Sequence, residues 1–212
     1  MLRSRLEQDL AQHVRENVGV YFFVALLFLV GVVFGALAVK ALPTEQKAEL
    51  MDYLNLFLKD VAGRPSIPGS ELVGQTVWAN LKGIALIWLS GLTVIGLPLA
   101  LILLFTKGFA GGFTVGFLVD EISWRGLVVA AAAVLPQSLL TVPAVLLVGA
   151  GAVCFALFVL RQRFLNRRAP APVPLLSYAF FLVAAALAVA VAGAIEAYIT
   201  PVFLRATTNW FL

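Results

Sequence analysis

Long apolar runs, each closed by a short polar or proline-bearing stretch, set the pattern of this chain. The run over 18–42 is long enough to cross a hydrocarbon core about 30 Å thick as one helix. Within it Gly31 and Gly35 stand four apart, a spacing that lets helix backbones approach closely in lipid. Before it, 1–17 mixes acids and bases at helical spacing. Leu6, Leu10 and Val14 fall on one side, which predicts a short amphipathic helix lying on the membrane. The apolar run after it is too long for a cleaved leader and has no small-residue cleavage pattern.

Pro43 closes the first span, and Thr44 is placed to cap the next helix. Over 43–80 the pattern changes. Leu50, Leu54, Phe57, Leu58 and Val61 recur at helical spacing among Glu45, Lys47, Glu49, Asp52, Lys59 and Asp60. That predicts an amphipathic helix outside the membrane, followed by the loop "GRPSIPGS". A second span is expected over 81–105, with Pro98 kinking it. The stretch "KGFAGGFTVGFLVDE" opens a third span, 107–122. Gly108, Gly112 and Gly116 form one smooth ridge there, and Phe109, Phe113 and Phe117 an adjoining bulky one.

The apolar stretch from Trp124 to Leu160 exceeds one span and is interrupted by "LPQSLLTVP". Pro136 and Pro143 bias the residues before them away from helix. The expected arrangement is a half-helix over 126–135, a break holding Gln137 and Ser138, and a full span over 139–160. The alternative is a six-span chain in which 126–135 crosses fully. "RQRFLNRR" and the stiff "APAPVP" make the loop 161–174. A last span covers 176–199, and 200–212 is a tail with Trp210 near the interface. The fold expected is thus all-α, a single polytopic bundle of five spans plus one half-helix, with an extracytoplasmic amphipathic helix.

Composition agrees with this pattern and narrows the chemistry. The chain is 62% hydrophobic over 212 residues, against about 45–50% for a soluble domain. Four arginines crowd 161–168 without an acid, which places that loop in the cytoplasm. Counting spans back from it puts the N-terminus and Lys107 inside, and 43–80 and Asp120–Glu121 outside. The +4 net charge is not gathered into aromatic-interleaved patches, so nucleic-acid binding is not expected. One cysteine, Cys154, and one histidine, His13, cannot build the usual zinc or nucleophile sites. No catalytic, cofactor or metal residue is assigned. The tryptophans Trp78, Trp88, Trp124 and Trp210 read as interface anchors. Glu121 and Arg125 stand at i,i+4 spacing for an ion pair.

Glu196, in "AGAIEAYITP", is an acid inside a span, reached along a ridge of Ala184, Ala188 and Ala192. Gln137, Ser138 and Glu196 are polar groups at membrane depth that need partners, and a contact among them is expected. Such a set suits either a structural hydrogen-bond cluster or a small transporter or channel subunit for an ion, lipid or solute. A third reading is a structural subunit of another membrane assembly. The glycine faces also make a homo-oligomer an expectation.

Four stretches together are similar to the stage II sporulation protein M family. They are "YFFVALLFLVGVVFGALAV", "GLTVIGLPLALILLFTKGF", "KGFAGGFTVGFLVDEISWRGLVVAAAAVLPQSLLTVPA" and "IEAYITP". Their order and the chain length match as well, so the resemblance covers nearly the whole chain. It implies a multi-pass protein of a spore-former's cell membrane, at the septum and the engulfing mother-cell membrane. There it would act as a scaffold of the engulfment machinery. It would recruit two peptidoglycan-degrading partners, sporulation proteins D and P, and have no hydrolase site of its own. It carries no catalytic or ligand residue onto this sequence.

Overall fold

The computed structural model describes residues 17–63, 69–164, 178–179 and 182–193. Inside its helices the side chains of 57–63, 69–73, 76, 122–125, 129, 131–137 and 161–164 stand outside that description. The described residues are almost all helical, with no strand among them. In order they form α1 (Val18–Ala38), a 3-10 turn (Val39–Ala41), α2 (Thr44–Gly63), α3 (Gly69–Gly91), α4 (Leu97–Phe164) and α5 (Leu182–Gly193).

Three segments are long and apolar enough to cross a membrane: Val18–Ala41, Leu97–Glu121 and Ser138–Leu160. The second and third are two arms of α4. A straight helix would hold Leu104 and Gly149 about 70 Å apart. Instead a Cβ on Gly149 would stand 2.7 Å from the Leu104 side chain, so the arms fold back on each other. The backbone stays helical through Pro136, Gln137 and Pro143. The half-helix and non-helical break expected over 126–138 are therefore absent as such. A proline inside a helix removes one ladder hydrogen bond and tends to bend it.

A second boundary also moves. The span expected over 81–105 is divided by a turn at 92–96, which separates α3 from α4. Leu92 N bonds Leu89 O at 3.2 Å, and Gly96 N bonds Thr93 O and Thr93 Oγ1 at 3.1 and 3.0 Å. A side chain at Gly96 would strike the Ser90 carbonyl, so the turn closes only around glycine. Pro98 then falls in the first turn of α4, where its missing N–H costs nothing, and it starts a helix rather than kinking one.

The core lies where α1, α3, both arms of α4, Tyr178 and α5 meet. Val24, Ile84, Ile87, Leu104, Val148 and Val189 are fully enclosed there. The opposite face of α1 (Phe22, Leu26, Leu29, Val33 and Leu37) is exposed, as a lipid-facing surface should be.

Candidate functional site: interlocked glycine ridges and the ends they position

The glycine pair of α1 and the three spaced glycines of α4 seen in the sequence face each other. Gly31 and Gly35 on α1 meet the backbone of Phe105, Phe109 and Phe113 on α4. Gly108, Gly112 and Gly116 meet Phe28, Val32 and Ala36 on α1. A Cβ on Gly31 would lie 2.5 Å from Phe105 O, and one on Gly116 2.8 Å from Ala36 Cα. At Gly112 it would sink into the Val32 carbonyl. Both partner numbers rise together, so α1 and the first arm of α4 run parallel, with contacting residues between 74 and 80 positions apart along the chain. In lipid such backbone contact replaces the hydrophobic effect as the force of association. The ridges are filled within one chain, so they are not the surface on which a second copy would pack.

The phenylalanines flank this seam as a ladder. Ring centroids stand 6.3 Å apart for Phe105–Phe109, 6.2 Å for Phe109–Phe113 and 6.5 Å for Phe113–Phe117. Phe34 of α1 joins at 6.2 Å from Phe105. These spacings lie within the range of favourable ring contact.

At one end of the seam, α2 is tied to α4. Lys47 Nζ donates to Asp120 Oδ2 and lies 3.9 Å from Glu121 Oε1. The adjacent acids thus share a lysine from another helix, and α2 and residues 120–121 occupy the same end of the bundle. The side chain of Arg125, expected opposite Glu121, is outside the description. On α2 Lys47, Leu50 and Leu54 are half-buried, while Glu45, Glu49, Asp52, Tyr53 and Leu56 are exposed. Exposed pairs of this kind contribute about 1 kcal/mol or less. Lys47→Glu is expected to raise hydrogen exchange in the first turns of α2 a few-fold. Adding Asp120→Lys should return it toward the starting rate.

At the other end Tyr178 is clamped between two rings. Its centroid lies 5.2 Å from Trp88 and 4.6 Å from Phe155, each at 14° between planes. Tyr178 Oη donates to Trp88 O at 2.7 Å, and Trp88 Nε1 donates to Tyr178 O at 3.2 Å. Trp88 O is one of the last four carbonyls of α3, which have no partner within the helix, so the tyrosine caps α3. Trp88, expected as an interface anchor, is instead half-buried against Tyr178. Nothing in the sequence marked Tyr178; its only signal is an aromatic residue at the start of an apolar run.

Lys107 also moves. With the turn at 92–96, it lies within the Leu97–Glu121 span rather than in a cytoplasmic connection. Its side chain crosses Gly83 of α3, where a Cβ would stand 3.0 Å from Cε and 3.1 Å from Nζ. Of the expected polar cluster, Ser138 is half-buried. Gln137 is helical in backbone with its side chain outside the description, and Glu196 lies outside the described residues. Tyr21 Oη and Thr141 Oγ1 are buried without a hydrogen-bond partner among the described residues. Neither was singled out from the sequence.

Residues 24–201 match the family model of stage II sporulation protein M. The chain belongs to this family. The match covers α1 from its first buried residue, Val24, through both arms of α4 and α5, so the glycine seam, the Lys47–Asp120 tie and the Tyr178 clamp all fall inside the family region. Among curated proteins and solved structures, none matches the chain. Membership makes this a sporulation-related membrane protein.

Proposed function

We propose that the chain is a non-enzymatic scaffold of the engulfment machinery that anchors peptidoglycan-degrading partners, sporulation proteins D and P, at the septal membrane. The observation that carries this reading is α2. It is a helix too charged to enter lipid, it is joined to the spans through Lys47, and it holds Tyr53 and Leu56 outward at 65% and 64% exposure. A large aromatic and a leucine on the polar side of an amphipathic helix are the kind of anchors that partner surfaces cover.

In this reading the chain has five crossing helices: α1, α3, the two arms of α4, and the segment that contains α5. The arginines of 161–168 hold their end in the cytoplasm. α2 and Asp120–Glu121 then face the space that holds the peptidoglycan, where the hydrolases work.

The test is recovery of sporulation proteins D and P with the tagged chain from detergent-solubilised sporulating cells. Tyr53→Ser with Leu56→Ser is expected to reduce recovery at least about tenfold, the scale of one lost anchor worth more than 1 kcal/mol. The membrane level of the chain should not change. Undiminished recovery rejects α2 as the docking element.

A further inference from the structure

α1 is an uninterrupted apolar helix and serves as a ruler for depth. Gly31 packs between Phe105 and Phe109, and Gly108 between Phe28 and Val32, so Lys107 is level with residues 28–31. That is about 17–21 Å along the helix from Asn17 and about 14–18 Å from Lys40, near the middle of a hydrocarbon core about 30 Å thick. This is further from either surface than a lysine's four-carbon stem reaches. Lys107 lies over Gly83, and the adjacent residue of α3 is Lys82. Two lysines therefore share one level at membrane mid-depth. The ion pairs found among the described residues are those of Lys47, with no acid at either of these two. Lys82 is exposed and sits 5.0 Å from the Trp78 ring. That contact softens the charge without neutralising it.

α3 differs from its neighbours. It is 23 residues long, about 34 Å, and meets the first arm of α4 at Gly83 and the second at Gly91, yet it is not among the three segments apolar enough to cross alone. Its exposed positions include Gln75, Trp78, Lys82, Leu86 and Leu89. Their spacing of three, four, four and three residues is that of a helix-packing seam. Among the described residues this stripe holds no counter-charge for Lys82. A helix bearing a carboxylate at the same depth would supply one, with the strength a charge pair gains away from water.

We propose that the exposed face of α3 docks a partner's transmembrane helix that carries a buried carboxylate level with Lys82. Lys82 pairs with that carboxylate, Lys107 reinforces the positive field from behind Gly83, and Trp78, Leu86 and Leu89 provide the apolar contact. The inference deepens the scaffold reading and rests on it for the partner's role. It adds an intramembrane contact distinct from α2.

The full chain is reconstituted in phosphatidylcholine vesicles with fluorescent leucine-rich transmembrane peptides carrying one central glutamate, glutamine or leucine. Energy transfer reports association. The glutamate peptide is expected to bind at least about tenfold tighter than the other two. Lys82→Leu should erase the difference, and Lys82→Glu should transfer preference to a peptide with a central lysine. Retained tryptophan emission of the variants shows that they are folded. Lys107→Met should weaken the preference without reversing it. Equal binding of all three peptides, or an unchanged preference in Lys82→Leu, overturns the proposal. So does loss of glutamate-peptide binding when phosphatidylglycerol is added, which marks a lipid site instead. Recovery of sporulation proteins D and P with the α2 double variant is read separately. A failed peptide preference with intact α2-dependent recovery therefore sinks this contact alone.

Discussion

A single methyl group at Gly112 is expected to weaken the pairing of α1 with α4, while the same methyl one residue earlier is expected to do no harm. A Cβ at Gly112 overlaps the Val32 carbonyl, its carbon and its Cα, all backbone, so no rotamer change relieves the clash. At Gly111 nothing lies within 4 Å. Gly111→Ala should be neutral or should stabilise the helix by up to about 1 kcal/mol, the ordinary helix preference for alanine. Gly112→Ala should lose about 3 kcal/mol, at the upper end for overpacking in rigid surroundings, and Gly112→Leu should prevent the pairing. A thermal transition of the purified protein in detergent measures the pair of alanine variants. Cysteines at 28 and 108 would report the seam itself by crosslinking. Equal effects at 111 and 112 would rule out the glycine seam as the contact that joins the two helices.

Tyr178 carries the second large effect, and two substitutions divide its contributions. Tyr178→Phe keeps both ring contacts and deletes only the hydroxyl that caps Trp88 O, so a loss of about 1 kcal/mol is expected. Tyr178→Ala also empties the slot between Trp88 and Phe155, and about 4 kcal/mol is expected, as for other buried aromatics. A side chain at Gly91 would collide with the Tyr178 hydroxyl, so Gly91→Ala should behave like a partial Tyr178 deletion. Tryptophan emission offers the readout, because Trp88 stacks on the ring being removed. If the alanine and phenylalanine variants melt together, the stacking has no weight.

The helical character and the glycine ridge were legible because both are local patterns. Spacing four puts Gly108, Gly112 and Gly116 on one stripe whatever surrounds them. The identity of the opposing helix was not legible. Gly31 and Gly35 show the same spacing, but nothing local says that the two stripes meet rather than pair with another copy. The turn at 92–96 was missed for a definite reason. Lys107 looked like an interface charge, and Thr93 and Gly96 looked like ordinary residues of an apolar run. The turn depends on Gly96 slipping beneath the Ser90 carbonyl, a contact the sequence does not announce. Once the turn moves, Pro98 becomes a helix start and Lys107 a mid-depth charge. The Lys47 bridge to Asp120 was hidden by distance along the chain, since Arg125 offered a nearer partner by spacing alone.

The parallel seam also has a consequence for how the protein is made. Along the glycine notch, residues of α1 are made 74 to 80 positions before the α4 residues that meet them. At about 5–20 residues per second of synthesis, α1 waits roughly 4–16 s with Gly31 and Gly35 facing lipid. During that interval the notch is open to whatever small-faced helix lies beside it. The pace of translation between the two helices therefore sets how long the seam stays unfilled.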